Sequence, residues 1–168
     1  MKQGTYLNLL YTIEQQLPQL LKDPSIWETV YVNYSQPYVE RVYTNYLGLR
    51  ICLHRITTCD TGTALFHPHP WPSAMRIVAG AYEMNVGYGV GTDIPPTAAT
   101  ILLPAGSAYE MINSNGWHSV RPTTPVSLSL MVSGKPWDRV APKSNYQLSP
   151  LSIETKMEIL NAFARMYP

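Results

Sequence analysis

Two histidines stand one residue apart in His67-Pro68-His69, and a third, His118, follows in Gly116-Trp117-His118-Ser119-Val120. In an extended strand, residues i and i+2 point to the same face. Two imidazoles on one face can therefore hold one metal ion, with His118 on another strand as the third ligand. The chain has only four histidines, and these two places hold three of them. The fourth, His54, sits in the strand-like run Leu53-His54-Arg55-Ile56 with no such companion. The plainer alternative is that each histidine is structural. Pro68 and Pro70 could also bend the segment into a loop in which strand parity means little.

The elements that must position these residues read clearly. Segment 5–22 carries Leu9, Leu10, Ile13, Leu17, Leu20 and Leu21 at helical spacing, with Pro18 expected to kink or divide it. Asp23-Pro24-Ser25 looks like a capped restart. From residue 30 the pattern changes to short β-branched and aromatic runs at 30–34, 39–46, 49–56, 74–79, 81–86, 100–103, 108–112, 117–120 and 126–132. Gly, Pro and Asn clusters separate them. Many short strands at this spacing imply an antiparallel sandwich or barrel. The tail holds a proline-bounded polar segment, 142–150. A helix then starts at the Ser152 cap, with Ile153, Met157, Leu160 and Phe163 along one stripe. One mainly β domain is expected over 1–168: a helical segment to residue 28, a barrel over 29–134, and an extended segment with a helix over 135–168.

Composition limits the function classes. The chain has 168 residues, 45% hydrophobic and 14% charged, with a formal net charge of +1. That is a folded globular composition with no electrostatic footprint for nucleic acid. No apolar run is long enough to cross a bilayer, and the start of the chain does not read as a signal peptide. Cys52 and Cys59 lack metal-site spacing and read as free thiols. A cytoplasmic setting, a small-molecule partner, and either a monomer or a homodimer fit this reading. Gly87-Tyr88-Gly89-Val90-Gly91 lacks the Lys-Ser/Thr and helix of a phosphate loop.

The pattern of His67 and His69, with Gly80 eleven residues after the second histidine, resembles the first motif of the cupin superfamily. Ser73 stands where that motif has its glutamate. Pro104-Ala105-Gly106 and Asn113 match the second motif, but Tyr109 occupies its histidine position. Either Tyr109 or His118 is then the third ligand; His118 is favoured. The stretch from Leu49 to Trp137 is similar to small cupins of bacterial and phage genomes that share an HxHPW core. The resemblance implies an antiparallel cupin-type β-barrel or jelly roll, with helices from both chain ends packed outside it. It also implies a metal site like that of three-histidine thiol dioxygenases, some of which carry a Cys–Tyr crosslink. Cys52 could imitate that, though an ordinary buried thiol is the better reading.

Neutral imidazoles bind divalent iron, zinc or nickel. Three of them leave the ion's +2 charge uncompensated, which favours an anionic substrate donor such as a thiolate or carboxylate. The expected function is therefore a non-haem iron(II) dioxygenase or hydroxylase. A ligand-binding sensor without catalysis and a zinc isomerase or hydrolase are the rivals. Glu83 and Tyr109 are the candidate catalytic groups. Arg50, Arg55, Trp71, Met75, Tyr82 and Trp117 are the candidate pocket residues. Arg50 and Arg55 fall on opposite strand faces, so one of them should point inward, and Arg76 should point away.

Overall fold

The computed structural model describes residues 5–138 and 147–168. Helix α1 covers Tyr6–Leu20, and the Thr5 hydroxyl caps it by accepting from the Asn8 amide. Pro18 does not divide this helix. It lies in the last turn, so only Gln19 and Leu20 of the helix follow any bend it makes. The expected restart is a single 3-10 turn, Pro24–Ile26, capped by Asp23. Helix α2, Ile153–Met166, is capped by Ser152 through the Thr155 amide.

Between the helices, ten strands lie among the described residues. The first sheet contains β1 (Glu28–Val32), β2 (Val39–Tyr46), β3 (Leu49–Thr57), β5 (Ser73–Ala79), β8 (Ala108–Met111) and β10 (Val126–Ser133) in the order β1-β2-β3-β10-β5-β8. The second contains β4 (His67–Pro68), β6 (Ala81–Tyr88), β7 (Thr97–Pro104) and β9 (Gly116–Pro122) in the order β4-β9-β6-β7. All pairings are antiparallel. The predicted strands recur within two or three residues at their ends. The exception is β4, too short to show as a periodic run.

The first sheet is buried on both faces. Its outer face packs Val42, Ile51, Leu53, Ala74, Leu130 and Val132 against Leu10, Ile13 and Leu17 of α1 and Ile159, Leu160 and Phe163 of α2. Its inner face packs Cys52, Ile56, Met75, Ile77 and Met131 against Tyr82 of the second sheet. The helices thus seal one side and leave the space between the sheets for a site. Gly80 joins β5 to β6 at φ 77°. A Cβ there would collide with the Ser127 and Thr124 side chains, so the turn between the two sheets requires glycine.

Candidate metal centre

His67 and His118 are register partners on adjacent strands β4 and β9. His69 lies just beyond β4, where the chain leaves the second sheet for the first. The three rings converge, with centroids 5.0 Å apart for His67 and His118, 5.7 Å for His67 and His69, and 4.4 Å for His69 and His118. One nitrogen from each ring lies within 4.8 Å of the others. This approaches the spacing that a single ion with bonds of about 2 Å imposes. It is the one cluster of three or more His, Cys, Asp or Glu groups of this kind among the described residues.

The remaining nitrogens show how the rings are held. His67 Nδ1 donates to the Leu65 carbonyl at 3.0 Å, which leaves Nε2 as the free lone pair. His69 Nδ1 lies 2.9 Å from Ser73 Oγ. Ser73, in the place of the motif's glutamate, therefore contacts a histidine through the nitrogen not needed for metal. His118 Nδ1 is buried and has no partner among the described residues. Burial pushes all three imidazoles below their ordinary value, His69 to about 3. They are neutral at pH 7, the state that binds a cation. The donor set fits a divalent ion: three neutral nitrogens, two of them oriented by a second hydrogen bond.

Removing the Ser73 hydroxyl should loosen His69. We expect Ser73→Ala to weaken metal binding roughly tenfold, within the range found for partners of ligand histidines, while the fold stays intact. A metal-chelator competition assay checks this.

The rings open into a cavity of about 650 Å3. Among the predicted pocket residues, Trp71, Met75 and Trp117 line it. Tyr82 does not: it is fully buried in the core beside the cavity, where its hydroxyl donates to Ser129 Oγ at 2.9 Å. Arg55 lies on the opposite face of β3 and pairs with Glu40 and with Glu158, the latter at 2.8 Å. Arg50 shares the inner face with Cys52 and His54, but its guanidinium stacks over the Tyr43 ring at 4.0 Å. Arg76 points away, as expected, and pairs with Glu14 of α1 at 2.7 Å.

The two expected catalytic groups are not at the cluster as acid–base groups. Glu83 alternates with the inward residues Tyr82 and Met84, so it faces outward and pairs with Arg121 across the strand pair at 3.2 Å. Tyr109 is near, its ring 6.2 Å from that of His118, but its hydroxyl donates to Met75 Sδ at 3.1 Å. Burial raises its phenol, so it keeps its proton. Glu110 is on the helix-facing side of β8 and accepts from the Leu7 amide in the first turn of α1. No Asp or Glu lines the cavity among the described residues.

Sequence reasoning missed Arg41, which lines the cavity beside the histidines. It comes from the inner face of β2, directly opposite His54 of β3. Its Nε donates to His54 Nε2 at 2.9 Å. The available signal was strand parity: Val39, Arg41 and Tyr43 share a face.

Comparison with solved structures supports the architecture. The hydroxypropylphosphonic acid epoxidase from S. wedmorenis superposes with a TM-score of 0.53 at 14% identity, over 66% of this chain and 56% of that one. The fold is a cupin-like sandwich. The iron(II) form of HppE gives a TM-score of 0.45 at 16% identity, over 56% of this chain and 49% of that one. KdgF from Halomonas sp. gives 0.47 at 15% identity, over 62% and 87% respectively. This cupin-like chain thus spans just over half the length of the epoxidase. No family model matches the sequence, and no curated protein matches it. No helix among the described residues is long and apolar enough to cross a membrane.

Proposed function

We propose that this protein is a metal-dependent cupin enzyme, an iron(II) dioxygenase or hydroxylase of a small molecule bearing a thiolate or carboxylate. The observation that carries this reading is the charge of the cavity. Four imidazoles, three of them in the ligand cluster, and one guanidinium line it, and no carboxylate does among the described residues. An ion held there keeps its full +2 in a mostly apolar enclosure, where uncompensated charge is costly. An anionic substrate offsets that charge. Bound iron(II) supplies the capacity to activate dioxygen. The chain's own residues orient the ligand rings, line the cavity with the apolar rings of Phe66, Trp71 and Trp117, and offer a cation at Arg41.

The zinc hydrolase or isomerase reading needs a general base near the ion. Neither named candidate serves: Glu83 faces outward in an ion pair, and Tyr109 keeps its proton. The test is elemental analysis of protein purified without added metal, followed by dioxygen uptake on a panel of thiols and carboxylates. We expect iron, with uptake that zinc substitution abolishes. Turnover that persists without dioxygen, or equally well with zinc, overturns the oxygenase reading. Tight binding of an anion without turnover favours a sensor.

A further inference from the structure

The cavity is lined by a guanidinium, that of Arg41, which meets no carboxylate among the described residues. Arg41 pairs with no carboxylate among the described residues, whereas Arg55 pairs with two and Arg76 and Arg121 with one each. Its Nε is used by His54 Nε2, which fixes the plane of the guanidinium and leaves both terminal nitrogens without a side-chain partner among the described residues. Accepting at Nε2 forces the neutral His54 to carry its proton on Nδ1. That N–H is buried without an acceptor among the described residues, and so is the indole N–H of Trp71. Both residues line the cavity with Arg41. A guanidinium held in one plane beside a cavity, with no carboxylate partner among the described residues, presents its terminal donors to an anion.

We propose that Arg41 is an oxyanion-binding residue, positioned by His54, and that the substrate has two anchors. One is the donor atom that meets the metal. The other is a separate oxyanion, such as a carboxylate, held by the free edge of the Arg41 guanidinium. Arginine presents parallel N–H donors in a fixed fork that matches two oxygens of one anion. His54 is a positioning residue: it keeps the fork from swinging and meets no substrate atom itself. The second anchor stands on the cavity alone; only the first rests on the metal reading.

The experiment compares two thiols that share a sulfur donor and differ in the oxyanion, mercaptoacetate and mercaptoethanol. Binding is measured by titration calorimetry and by the visible spectrum of the cobalt(II)-loaded protein. We expect mercaptoacetate to bind at least about tenfold more tightly, the size of one charge-assisted bidentate contact. Arg41→Met should erase that preference and leave mercaptoethanol affinity and cobalt stoichiometry unchanged. Arg41→Lys, which keeps the charge but not the fork, should retain only part of it, and it stands in if Arg41→Met does not fold. His54→Ala should reduce the preference without changing mercaptoethanol affinity. Equal affinities in the wild type, or a preference that survives in both Arg41 variants, overturn the proposal. If neither thiol perturbs cobalt, the metal reading fails instead, and acetate binding to the metal-free protein decides the subsite. Acetate should then bind the wild type and not Arg41→Met; acetate binding that is absent, or equal in the two, overturns it.

Discussion

Replacing His118 with alanine is expected to cost the protein more than a hundredfold in metal affinity, whereas Tyr109→Phe should cost little. Structural zinc sites of four ligands are worth about 10–16 kcal/mol, so one ligand of a few is worth about 3 kcal/mol. The geometry decides which residue pays that loss. His118 is the register partner of His67 and its ring approaches His69 to 4.4 Å. Tyr109 lies on the other sheet and spends its hydroxyl on Met75. His67→Ala should match His118→Ala, because either leaves two imidazoles. Metal content after exhaustive dialysis, measured by mass spectrometry, checks the pair. Full stoichiometry in His118→Ala together with loss in Tyr109→Phe would reverse the assignment.

The same residues show what was legible beforehand. The strands, the Ser152 cap of α2 and the Asp23 cap of the 3-10 turn follow from local chemistry and could be read directly. The histidine cluster was legible because two of its members are two residues apart, and the third sat in a strand. What could not be read was sheet membership. The chain changes sheets between His69 and Ser73, so Ser73 meets His69 from a strand of the opposite sheet rather than from its own. Arg41 was hidden for a related reason. Strand β2 is covered by helices on one face and by the cavity on the other, so Val39 and Val42 lie on opposite faces and apolar alternation is lost. Glu83, a candidate catalytic group, faces outward as its parity with Tyr82 and Met84 dictates. Arg50 and Arg55 were correctly split between faces, but which one pointed inward needed the helices. Loss of Leu53 to the helix-facing core placed Arg55, two residues on, outside with it.

The metal-free protein should lose stability steeply as pH falls below 6.5. His54, His69 and His118 are buried, and burial holds each below its ordinary value, His69 at about 3. Between pH 6.5 and about 3 the unfolded chain takes up protons at these positions that the folded chain refuses. Stability is therefore fully present above 6.5 and is lost as pH falls through that window. Each refused proton costs about 1.4 kcal/mol per pH unit, so three cost up to about 4 kcal/mol per unit. A typical domain has about 5–15 kcal/mol in total, so unfolding is expected between about pH 5 and about pH 3. Bound metal deepens the acid sensitivity of the site itself, since protons compete with the ion for the same lone pairs. Urea unfolding followed by tryptophan fluorescence from pH 8 to 5 measures the slope. His54→Gln removes one of the three titrating rings without touching the cluster, and should make the slope shallower by about one proton. A flat profile across this range would mean that the histidines are protonated in the folded protein, and the neutral donor set on which metal binding depends would go with it.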